Sequence, residues 1–132
     1  KMPSNATEGA PMKIIFALIA LAALTLQAQA IEGRYKVEGQ NPGQPQVYKG
    51  EAMIKKTGDT YSVVWQIGSG RQIGTGILNG TVLSVVFQAA GGPGSGGVAS
   101  FQVVDNKITA GRWAVTGGQT VGSEKWSLES GI

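Results

Sequence analysis

Arg112 and Glu124 stand twelve positions apart on what read as the last two strands of an all-β chain. Alternation along those strands turns both side chains inward near one end of the sheet. It sets Arg112 opposite Glu124, Ala110 opposite Trp126 and Ile108 opposite Leu128. An inward charge pair costs desolvation unless its hydrogen bonds are well made. Two roles follow: a structural salt bridge closing that end of the fold, which is the commoner fate of such a pair, or a polar anchor for a ligand head group. Trp65, Gln72 and Phe87 join Arg112 around a shallow candidate pocket, with Trp126 beside Glu124. The simpler reading of the aromatic rings is that they fill the interior, as side chains do in small barrels. Trp113 falls on the outer face by the same count. No second inward carboxylate is available to Glu124, so paired-carboxylate hydrolysis is not expected.

The absences are equally informative. The chain has no Cys and no His. That excludes disulfides, thiolate nucleophiles, the usual zinc ligand sets and His-based general catalysis. No catalytic residue, metal site or cofactor is expected, and a binding protein is favoured over an enzyme. The glycine-rich stretch 89–97, AAGGPGSGG, lacks the following helix and the Lys of a phosphate cradle, and reads as a flexible lid or spacer.

Residues 12–30, MKIIFALIALAALTLQAQA, have the three parts of a secretory signal: Lys13 as positive flank, an apolar run from Ile14 to Leu26, and small residues at Ala28 and Ala30. The run is too short for the roughly 20 residues of a membrane span. Cleavage after Ala30 is expected, residues 1–11 read as a disordered upstream leader, and a membrane is met only through the uncleaved signal segment. Ile31-Glu32-Gly33-Arg34 coincides with an engineered protease site, but Gly33-Arg34-Tyr35 is a natural strand start. Residues 31–132 form one domain. Setting aside Lys1, Lys13 and Glu8 leaves nine basic and seven acidic residues there, too even a balance to argue for nucleic acid.

Twenty glycines in that domain alternate with Val, Ile, Tyr, Trp and Phe in short runs, the pattern of many strands joined by tight turns. Strands are expected at 33–40, 47–57, 60–68, 71–78, 81–88, 97–104, 107–115 and 121–129. Gly58-Asp59, Ser69-Gly70, Asn79-Gly80 and Asp105-Asn106 read as two-residue hairpin turns, which fix which residues share a face. Taking Tyr61, Val63, Trp65 and Ile67 as inward, the turns carry the face to Ala52 and Ile54, to Leu83, Val85 and Phe87, and to Ala99, Phe101 and Val103. Trp65 pairs with Gly74 and Ala99 with Arg112. Trp126 and Leu128 complete the face. Eight such strands predict an antiparallel up-and-down (meander) barrel after an N-terminal signal helix, with an eight-stranded sandwich as the alternative. The long Gly/Pro-rich connectors gather at one end, giving a cup whose mouth is a place for binding.

Gly33-Arg34-Tyr35-Lys36-Val37-Glu38-Gly39-Gln40-Asn41-Pro42, Gly111-Arg112-Trp113 and Gly122-Ser123-Glu124-Lys125-Trp126 resemble a group of small exported bacterial β-barrel proteins. Some of these carry the label fibronectin-binding protein. The eight-strand cup also looks, more distantly, like the calycin barrels (lipocalins and avidins), with G-x-Y at Gly33–Tyr35 where those have G-x-W. The first resemblance implies export to the periplasm or beyond; neither implies a ligand. The expected function is therefore a small exported binding protein that uses the loop-rich mouth, its partner a small ligand or an extracellular or periplasmic protein. The alternative is a secreted inhibitor or adhesin-like module with a filled interior. Interior volume separates the two.

Overall fold

A computed structural model describes residues 31–91 and 96–131. The expected leader, signal helix and cleavage point at Ala30, and the tip of the 89–97 loop, lie outside the described residues. The strands are β1 (Gly33–Gln40), β2 (Val47–Thr57), β3 (Thr60–Ile67), β4 (Gly70–Asn79), β5 (Val82–Ala89), β6 (Gly97–Val104), β7 (Lys107–Val115) and β8 (Gly122–Ser130). Each pairs antiparallel with its chain neighbours, and β1 pairs with β8 to close the barrel. The all-β meander expected from the sequence is the observed architecture, and closure leaves no free sheet edge.

The alternation of burial explains why these segments are strands. In β1 the odd positions Gly33, Tyr35, Val37 and Gly39 are buried and Arg34, Lys36 and Glu38 are exposed. In β3, Tyr61, Val63 and Trp65 are buried, and in β8, Gly122, Glu124 and Trp126. One inward face runs round the sheet, as the hairpin argument requires.

Two turns differ from expectation by one residue. The β3–β4 turn is Gly68-Ser69 and the β4–β5 turn is Gly80-Thr81, with Gly68 at φ 59° and Gly80 at φ 64°. Each glycine takes the first central position, as at Gly58, where φ is 67° and a type II′ turn requires it. Moving a turn by one residue moves the register by two, so the facing survives while the partners change. Trp65 lies opposite Gln72, not Gly74, and Leu78 lies opposite Leu83.

The third departure changes the facing. Asp105 and Asn106 form the β6–β7 turn with positive φ at both, 52° and 61°, and Val103 pairs with Ile108 as expected. Then the register slips: Gln102 pairs with Ala110, Phe101 with Gly111 and Ala99 with Trp113. Thr109 is the extra residue of a β-bulge, its hydroxyl 3.4 Å from the Gln102 carbonyl. A one-residue slip exchanges the two faces of everything beyond it.

The end that carries the short turns is plugged. Ile31, Tyr35, Ile54, Leu83 and Ile108 are fully buried there. The Tyr35 hydroxyl donates to the Ile31 carbonyl at 2.8 Å and accepts from the Ile108 amide at 3.4 Å. Ile31 and Gly33 are thus built into the wall.

Candidate functional site

Connectors 41–46, 68–69 and 116–121, with the described ends of the 90–96 connector, gather at the other end. None of their residues carries a charge. Beneath them lies a cavity of about 290 Å³. Its walls include Tyr48, Trp65, Gln72, Phe87, Trp113 and Glu124, and among the described residues that line it Glu124 is the one that is formally charged.

Glu124 organises this end of the interior. It is buried, at 5% exposure. Its Oε1 accepts the indole N–H of Trp126 at 2.8 Å and of Trp65 at 3.1 Å, and its Oε2 accepts the Tyr48 hydroxyl at 2.6 Å. All three partners are neutral, and among the described residues no Lys or Arg forms an ion pair with it. Burial, then the charge of Glu124 and the hydrogen bond to it, push the Tyr48 hydroxyl far above its ordinary range; the Trp113 indole opposes the shift. Tyr48 is therefore a donor, held in that role by the carboxylate.

Glycines make this geometry available. Tyr48 on β2 lies directly opposite Gly39 on β1, and Gly39 lies opposite Glu124 on β8. A Cβ on Gly39 would overlap the Tyr48 ring. The missing side chain lets the ring cross β1 and reach the carboxylate two strands away. Trp113 lies likewise over its cross-strand partner Gly122, and Phe101 over Gly111. These rings meet the others edge-on or tilted: Trp65 and Phe87 are 5.8 Å apart between centroids, Phe87 and Trp113 6.4 Å, and Trp65 and Trp126 6.1 Å. Such arrangements are the favoured ones for aromatic pairs.

Two polar atoms in the same cavity are buried without a hydrogen bond: Gln72 Oε1 and Trp113 Nε1. Trp113 Nε1 is near enough to the Tyr48 hydroxyl to influence its titration, but not in hydrogen-bonding geometry. Buried polar groups are usually partnered, so a pair of orphans lining one cavity marks a polar place within an apolar wall.

Of the six residues expected to form a site, Trp65, Gln72, Phe87 and Glu124 line the cavity, and Trp126 supports it through Glu124. Arg112 does not join them. It is exposed and lies between Ser100 and Ser123 on the outer wall, so the expected Arg112–Glu124 pair does not form; Gly111 sits opposite Glu124 instead. The bulge at Thr109 is the cause, and it also brings Trp113 inward, reversing the expected outer placement. Arg112 borders a broad depression of about 630 Å³ on the outer wall, beside Ile77, Val86 and Val98. Tyr48 was the other omission. Its signal was present, since it shares the parity of inward-facing Ala52 and Ile54.

Among the described residues no group of three or more His, Cys, Asp or Glu is placed to hold a metal ion. No family model and no curated protein matches the sequence.

Proposed function

We propose that this is a small exported binding barrel, non-catalytic, that takes a small ligand in the cavity at its mouth. The observation that carries the reading is the pair of orphaned polar atoms, Gln72 Oε1 and Trp113 Nε1, in a cavity of about 290 Å³ walled by aromatic rings. Apolar walls with a few convergent polar groups are what small-molecule sites consist of, and the volume is near the lower end of their range. This volume favours a small ligand over the macromolecular partner that a filled barrel would serve. The signal-like segment ending at Ala30, and the resemblance of Gly33–Pro42 to small exported proteins, support a periplasmic or secreted location.

The test is native mass spectrometry of the protein purified from its own host. The expected spectrum shows a chain beginning at Ile31 and carrying a retained small molecule that is lost on denaturation. All three tryptophans of the chain lie in or beside the cavity, so intrinsic fluorescence follows rebinding of the released compound. A spectrum with no adduct, together with an emission unmoved by host small-molecule extract, would overturn the small-ligand reading.

A further inference from the structure

We propose that the mouth cavity selects a small organic cation, a primary ammonium group on an apolar body, and that Glu124 is the group that recognises it. This rests on the reading of the cavity as a ligand site and assigns the chemistry of what enters. A carboxylate offers about four lone-pair sites on its two oxygens. At Glu124, Oε1 has both filled, by Trp65 and Trp126. Oε2 has one filled, by Tyr48. One acceptor site remains on a residue that lines the cavity. Gln72 Oε1 supplies a second unfilled acceptor in the same wall. The open positions are thus two acceptors against one donor, the Trp113 indole N–H, and the balance calls for a ligand that mainly donates.

Charge points the same way. Among the described residues lining the cavity Glu124 is the one that is formally charged, and the connector sequences at the mouth contain no Lys or Arg. A buried carboxylate held by neutral donors alone retains an attraction for positive charge, and low-dielectric surroundings strengthen it. Trp65, Phe87 and Trp113 line the same cavity, and aromatic ring faces attract cations and repel anions. A quaternary ammonium would use those faces but leave Gln72 Oε1 and the free Oε2 site unmet. An ammonium with N–H groups meets both, while its apolar remainder packs against Phe87, Ile67 and Phe101.

The experiment titrates three probes of one shape into the full barrel domain and follows tryptophan emission: 2-phenylethylammonium, 2-phenylethanol and phenylacetate. The cation should bind at least about tenfold more tightly than the alcohol, the advantage expected when a hydrogen bond gains a charge, and the anion more weakly than either. Glu124→Gln keeps an oxygen for the two indoles and should erase the preference for the cation. Gln72→Leu, on a partly exposed strand position, should weaken the cation with the Glu124 cluster intact. If the alcohol or the anion binds as well as the cation, the ligand class is wrong while the cavity reading stands. If none of the three binds, the cation assignment falls, and the native mass spectrum decides the cavity reading on its own. The wild-type comparison alone returns one of these outcomes, whatever the variants do.

Discussion

Tyr48 and Glu124, 76 positions apart in the chain, meet at 2.6 Å across the bare backbone of Gly39. Three neighbouring strands each supply one part: a donor, a gap and an acceptor. The relationship separates two effects by substitution. Tyr48→Phe keeps the ring over Gly39 and removes one donor from a buried carboxylate, so the expected loss is about 1–3 kcal/mol in denaturant unfolding. Gly39→Ala puts a methyl group where the ring lies and displaces the whole side chain. It should cost more than Tyr48→Phe, and the double variant should cost less than the two added, because one interaction is lost twice. Additive losses would show that Gly39 does not act through Tyr48.

Glu124 itself is tested by shape. Glu124→Leu leaves the Trp65 and Trp126 indoles and the Tyr48 hydroxyl without their acceptor. Each stranded donor costs about 1–3 kcal/mol, so the variant is expected to be severely destabilised or unfolded. Glu124→Gln keeps an oxygen for the indoles and can offer its amide to the Tyr48 oxygen. Thermal unfolding should rank wild type above Gln, and Gln well above Leu. A Leu variant as stable as the Gln variant would mean that the cluster contributes little to the fold.

Most of this architecture was legible because a two-residue turn preserves parity. Even where the turns fell one residue away, at Gly68-Ser69 and Gly80-Thr81, the register moved by two and Trp65, Leu83 and Phe87 stayed inward. The bulge was not legible. Thr109 alternates as a strand residue should, and no glycine or proline marks it. What decides the slip is packing: Phe101 settles over Gly111 and Trp113 over Gly122, with Arg112 left in solvent. Burying the Arg112 guanidinium, even beside Glu124, would carry a desolvation cost that leaving Thr109 out of the ladder does not. Two cross-strand glycines were the readable trace of that choice, and the turn chemistry alone did not contain it.

Deleting Thr109 tests that account. With the extra residue gone, Ala110 directly follows Ile108 and the same pairs form without a bulge, so Arg112 stays outward opposite Ser100 and Trp113 inward opposite Ala99. The expected result is a folded barrel that keeps native tryptophan emission and the ring-ring signal in the near-ultraviolet circular dichroism. Adding Arg112→Trp and Trp113→Arg to the deletion moves the ring out and a guanidinium in, and should cost the cooperative fold or shift the emission to the red. A deletion variant that loses native emission, or an exchange variant that keeps it, would overturn the bulge as the element that sets the facing of β7.

Alkaline pH offers a test that reads all three tyrosines of the chain at once. Burial raises Tyr35, Tyr48 and Tyr61 above the ordinary value of 10.0, with Glu124 adding to the rise at Tyr48 and Glu32 at Tyr61. Below pH 10 both folded and unfolded chains keep these protons, so the tyrosines leave stability unchanged there. Above it the unfolded chain releases protons that the folded barrel still holds, and stability falls as pH rises, with up to three protons linked to unfolding. Thermal midpoints should therefore hold steady below pH 10 and decline above it. Tyrosinate absorbance near 295 nm should appear together with loss of native tryptophan emission, as one cooperative step, instead of following an ordinary phenol titration. Tyr48→Phe should make the decline shallower by about one proton, since the linked tyrosine most strongly held in its neutral form is then gone. Free titration of all three hydroxyls near pH 10 in a barrel with native emission would mean that water reaches them, and the closed floor at Tyr35 and the Tyr48–Glu124 bond would both have to be redrawn.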